Sequence, residues 1–135
     1  MAPLWKTPEN AKYTETDEWV IVTGNTARIG LTDYAQDQLS DIVFVDLSEI
    51  EAGSALSKGE AFATVESVKA ASDVNAPVSG EVVATNATLE DAPDAINKDP
   101  FGAGWIVEIK LSNPAELNGL MDAAAYLEHC NKRNS

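Results

Sequence analysis

Residues 66–75 read ESVKAASDVN, and Lys69 is the side chain among them with chemistry to offer. A lysine amine serves as a base or Schiff-base nucleophile only where desolvation or a cationic neighbour lowers its proton affinity. Glu66 and Asp73 flank Lys69 and favour the opposite, a protonated amine that is unreactive by itself. Such a lysine is either an ordinary solvated surface residue or suits a different purpose, to be presented to a modifying enzyme and then carry something, and the small residues Ala70, Ala71 and Ser72 leave that enzyme room to approach. The other reactive pair, His129 and Cys130, sits in a predicted terminal helix, where adjacent residues do not face each other. A Cys–His dyad is therefore disfavoured, and His129 is expected to be an ordinary surface residue. GxGxxG and Walker-type loops are absent, and Gly102 and Gly104 are expected as turn residues.

The elements that would position Lys69 follow from local pattern. YTETDEWVIVT (13–23) and TARIGL, separated by Gly24 and Asn25, predict a hairpin. Thr32 begins a short predicted helix, TDYAQDQL, which Ser40 and Asp41 end. DIVFVDL (41–47) predicts a strand buried on at least one face. ALSKGEAFATVESV and SDVNAPVSGEVVATN predict two strand-turn-strand segments on either side of Lys69, with Gly59 and Gly80 at tight turns and Pro77 at an edge or bend. That arrangement puts Val68 to Ala70 at a hairpin tip in solvent. TLEDAPDAI (88–96) predicts a helix capped by threonine and kept short by Pro93; GWIVEIKL (104–111) alternates as a strand. Two helix starts follow, at Asn113–Pro114 and Asp122, the second burying Ala124, Tyr126 and Leu127. About seven short strands with little helix predict an all-β sandwich or barrel with short helical additions. One domain is expected over 1–135, with 1–12 and 131–135 as flexible ends.

Composition narrows the partners. Nine Lys+Arg against 22 Asp+Glu give a formal net charge of −13. Such a chain is not expected to bind nucleic acid or an anionic membrane, both of which need cations, and a cationic partner surface fits better. The single cysteine excludes an intramolecular disulfide and a cysteine-based zinc site. No apolar run approaches the roughly 18 residues that span a bilayer, and Met1 to Asn10 lacks the features of a secretory leader.

ESVKAASDVNAPVSGEVVATN closely resembles the lipoylation segment of the glycine cleavage system H proteins, and so do YTETDEWV, GLTDYAQDQLSDIVFVDL, AINKDPFGAGW and LMDAAAYL, in the same order from about Tyr13 to Cys130. The resemblance implies an all-β sandwich of two antiparallel sheets of the lipoyl/biotinyl barrel-sandwich kind, with short peripheral helices and a C-terminal helix, and makes Lys69 the attachment point of lipoic acid. It implies a non-catalytic, monomeric shuttle. The lipoyl arm would take the aminomethyl group of glycine from glycine decarboxylase (P protein) to the aminomethyltransferase (T protein), and dihydrolipoamide dehydrogenase (L protein) would reoxidise the dithiol. Glu66, Val68 and Ala70 would be read by the lipoate-attaching enzyme, and Glu18 and Asp73 would dock the loaded arm through its amine. The implied compartment is the mitochondrial matrix or the bacterial cytoplasm.

The chain departs from the family pattern at Asp17, Tyr34 and Gln38, where histidine is usual or frequent, and at Ser40, where glycine is usual. Biotin acceptors usually carry methionine on both sides of the lysine, where Val68 and Ala70 stand here, and the lipoyl domains of 2-oxoacid dehydrogenase acyltransferases typically carry aspartate before it, where Val68 stands. Two further readings remain: an H-like protein relaying lipoyl groups to other enzymes, and an enzyme using Lys69 as a base.

Overall fold

The structure, a computed structural model, describes residues 5–133. β1 (Lys12–Tyr13), β2 (Glu18–Thr23) and β3 (Thr26–Leu31) form the expected N-terminal meander, and Gly24, with φ +64°, makes the β2–β3 turn. The Thr32 hydroxyl accepts from the Ala35 amide and caps helix α1 (Asp33–Leu39). Strand β4 (Ile42–Asp46) leads through β5 (Ala55–Leu56) into the hairpin of β6 (Ala61–Ser67) and β7 (Ala71–Asn75). β8 (Gly80–Thr85), helices α2 (Thr88–Asp91) and α3 (Ala95–Lys98), β9 (Val107–Leu111), a 3-10 turn (Pro114–Gly119) and helix α4 (Ala123–Arg133) complete the chain.

The strands make two antiparallel sheets, ordered β1-β2-β3-β9-β8-β5 and β4-β6-β7. Alternation, interrupted by a register shift between Ala61 and Ala63 in β6, turns Val20, Ile29, Val82 and Ile109 of the first sheet toward Val45, Phe62, Val65 and Val74 of the second, with Leu89 and Ile96 from α2 and α3 closing the core. A second core joins Trp5, Tyr13, Trp19, Tyr34, Tyr126 and Cys130. The sandwich is one of the two architectures the strand pattern predicts and the one the resemblance implies.

Several details differ from the sequence expectation. Nine strands are present among the described residues rather than about seven, because two-residue pairings such as β1 and β5 leave no periodic signal. α2 starts after Ala87 without a side-chain cap, and the chain around Pro93 splits 88–98 into two single-turn helices. Gly80 is a strand residue, not a turn: any Cβ there would collide with the Lys110 carbonyl across the β8–β9 pair. In α4, Tyr126 and Cys130 are buried while Ala124 is exposed. Residues 5–12 are held rather than loose, since Trp5 is buried and its indole N–H donates to Asp37. Residues 131–133 continue α4. Residues 1–4 and 134–135, the rest of the expected flexible ends, lie outside the described residues.

Candidate functional site

Lys69 stands at the tip of the β6–β7 hairpin, as the two flanking strand segments require. Every backbone N–H of the turn has an acceptor. The Ser67 amide donates to the Ala70 carbonyl (2.7 Å), and the Ser67 hydroxyl oxygen accepts from the amides of Lys69 (3.3 Å) and Ala70 (3.1 Å). The Val68 amide donates to the Asp41 carbonyl (3.0 Å), which tethers the tip to the chain just before β4. The backbone is thus fixed while the side chain is exposed, and among the described residues no hydrogen bond or ion pair engages Lys69 Nζ. Val68 is 66% exposed; beside the tip a register shift in β4 leaves both Val43 and Phe44 in solvent.

The acids divide into two environments. Glu66 is exposed, opposite Ala71, and Asp73 is exposed, opposite Thr64, which pairs in turn with Asp46. Asp73 lines a cavity of about 230 Å³ with Asp46, Glu49, Ala61, Ala63 and Thr64. Glu18 is fully buried. Its Oε1 accepts hydroxyl protons from Thr14 and Thr16, and its Oε2 accepts the Asn75 amide (3.1 Å), so it ties the start of β2 to the free edge of β7. Burial raises the Glu18 carboxyl above the ordinary carboxylate range, and the three donated hydrogen bonds act in the opposite direction. Glu18 and Asp73 therefore meet the same strand, at Asn75 and two residues before it, with only Asp73 open to solvent.

The positions that depart from the family pattern are placed differently from the tip. Asp17, at φ +76°, accepts from both terminal nitrogens of Arg133 and from the Tyr126 hydroxyl (2.8 Å). Tyr126 in turn takes the Thr32 hydroxyl (2.6 Å), and the Arg133 guanidinium lies 4.3 Å over the Tyr34 ring. Gln38 is exposed on α1, and Ser40 ends that helix at φ +67° and ψ −153°. His129 touches the Glu15 carbonyl (3.3 Å) whereas Cys130 is buried, and burial pushes its thiol up, away from reactivity. Among the described residues no group of His, Cys, Asp and Glu could hold a metal ion.

Sequence reasoning missed Thr14, Thr16 and Asn75 as the holders of Glu18, and Ser67 as the organiser of the lysine turn. The every-second-residue spacing of Thr14, Thr16 and Glu18 was the available signal; Asn75 leaves none, because its amide is recruited across the gap between the sheets.

A two-sheet sandwich that fixes the backbone of one hairpin tip and leaves its lysine unengaged has the architecture of a lipoyl-carrier domain. The glycine cleavage H-protein family model matches residues 11–133. The H protein of Symbiobacterium thermophilum is 52% identical over 119 residues, covering 88% of this chain and 91% of that protein. The mitochondrial H protein of Flaveria pringlei is 47% identical over 127 residues, covering 94% and 77% respectively. The crystal structure of the Mycobacterium marinum H protein superposes with a TM-score of 0.80 at 34% identity, over 95% of this chain and 99% of that one. The chain belongs to the glycine cleavage H-protein family.

Proposed function

We propose that the protein is the lipoyl-bearing shuttle of a glycine cleavage system, with Lys69 Nζ as the attachment atom. The observation that supports this best is the exposed amine of Lys69, unengaged among the described residues, on a turn whose own N–H groups are all satisfied. Small neighbours at Ala70 and Ala71 leave room for an acyl arm, so the residues present fit the group. When bound, the lipoyl group supplies a redox-active sulfur pair that carries the aminomethyl unit of glycine.

The chain's own residues hold and shelter that cargo. Asp73 offers the exposed carboxylate for a protonated amine, and β7 leads from it to Glu18, with Asn75 about 13 Å along the strand from Ala71 at 3.3 Å per residue. Glu66, Val68 and Ala70 are the residues presented to the lipoate-attaching enzyme. The partners are glycine decarboxylase, the aminomethyltransferase and dihydrolipoamide dehydrogenase, each visited by a monomeric carrier with no catalytic step of its own. No helix among the described residues is long and apolar enough to cross a membrane, and the mitochondrial matrix and the bacterial cytoplasm are the compartments in which we place the protein.

The test is the mass of the Lys69 peptide from lipoylated protein, before and after incubation with glycine decarboxylase and labelled glycine. A labelled, aminomethyl-sized gain on the lipoyl group is the expected result. Lipoylation without that gain would transfer the protein to lipoyl relay, and absence of lipoylation would overturn the reading.

A further inference from the structure

The turn that presents Lys69 is not held by its hairpin alone. Its Val68 amide reaches outside β6 and β7 to the Asp41 carbonyl, and Asp41 lies in the two-residue link, Ser40–Asp41, between α1 and β4. That link is itself gripped from α3, far along the chain. Asn97 Oδ1 accepts the Ile42 amide (2.9 Å), and Asn97 Nδ2 donates to the Ser40 carbonyl (2.9 Å) and to Gln36 Oε1 (3.0 Å). One side chain thus fixes the residue before Asp41, the residue after it and the end of α1. Ser40 contributes the reversal of direction through a backbone conformation, φ +67° and ψ −153°, that glycine adopts far more readily than other residues.

We propose that Asn97 is a positioning residue for the lysine-bearing turn: through Asp41 it sets the geometry in which Lys69 is offered to the enzyme that acylates it. The inference rests on the reading of Lys69 as the attachment site, and extends it to a residue that touches neither the lysine nor its turn. An amide side chain suits this role because it carries an acceptor for Ile42 and two donors for Ser40 and Gln36. Acylation from an activated acyl donor, a lipoyl adenylate, forms the Nζ–acyl amide and expels AMP, with the displaced ammonium protons passing to solvent. That step needs Nζ at a fixed place relative to the donor, which a wandering turn supplies less often.

The experiment compares the full chain with its Asn97→Ala and Ser40→Gly variants. Amide hydrogen exchange at Val68 is read by NMR against the core amide of Ile109, and lipoylation of Lys69 by a lipoate ligase is followed at varied acceptor concentration. With Asn97→Ala, exchange at Val68 should accelerate about tenfold while Ile109 is unchanged, the opening of a single local hydrogen bond. The KM for the acceptor should rise several-fold with kcat retained. Ser40→Gly, which keeps the backbone conformation, should leave both at wild-type values. Unchanged Val68 exchange in Asn97→Ala would overturn the buttress, and faster exchange with an unchanged KM would overturn its role in presentation. A wild-type chain that takes no lipoyl group would instead sink the assignment of Lys69 as the attachment site and leave the exchange result standing.

Discussion

Around Lys69 the backbone is bonded and, among the described residues, the side chain is unengaged; around Asp17 the side chains themselves are the structure. The Asp17 carboxylate takes Arg133 and Tyr126, the Tyr126 hydroxyl takes Thr32, and the Tyr126 ring stacks on Tyr13 at 4.6 Å. Both regions are built from short polar segments, yet one contributes little packing and the other joins β1, β2, α1 and α4 in a buried cluster. The difference teaches where a change should be felt: at the tip in what the protein does, in the cluster in whether it stays folded.

The sharpest way to test that division is Lys69→Arg. It should abolish acylation completely and leave the melting temperature where it was, because an exposed tip residue contributes almost no buried surface. A clear loss of thermal stability would show instead that the lysine is structural. Tyr126→Ala asks the opposite question. Removing a fully buried aromatic that also satisfies Thr32 and Asp17 should cost about 3–5 kcal/mol in chemical denaturation, with lipoylation of the remaining folded protein retained.

Glu18 lies between the two regions, next to Asp17 in sequence and bonded to the strand that begins two residues after Lys69. Its folded proton affinity is raised, above that of the unfolded chain, chiefly by burial. The stability it contributes is therefore fully present below the ordinary carboxyl range and is lost as pH rises through the raised folded value. Stability measured against pH should show wild type losing ground to Glu18→Gln across that window and running parallel to it above. Parallel curves throughout would place the carboxylate in a more hydrated setting than the bonds from Thr14, Thr16 and Asn75 describe. The smallest effect belongs to Ser40→Gly, which relieves a left-handed backbone at the base of the tip. About 1 kcal/mol of added stability is expected, the strain released less the entropy glycine adds to the unfolded chain.

Much of the fold was legible because it is local. Alternating β-branched residues in β2, β3 and β9, the Thr32 cap and the Gly24 turn each declare themselves within a few positions. The lysine tip was legible for the same reason, since strand segments on both sides of Lys69 leave it no other place. Glu18 was legible as a residue of interest but not in its setting: the sequence reads as an acid beside a tryptophan, and nothing in DEWV announces full burial. The grip of Asn97 on 40–42 and of Arg133 on Asp17 spans 55 or more residues and left no trace.

Chain order and side-chain chemistry alone determined that this protein is an all-β sandwich or barrel and that one lysine is displayed at a turn, because strand periodicity and turn residues act over a few positions. Tertiary structure decided which carboxylates remain open and which are sealed, and which distant amide steadies the tip. Burial and hydrogen-bond partnership depend on what the other sheet and the helices bring within about 3 Å, and that is settled only when the two sheets close on one another.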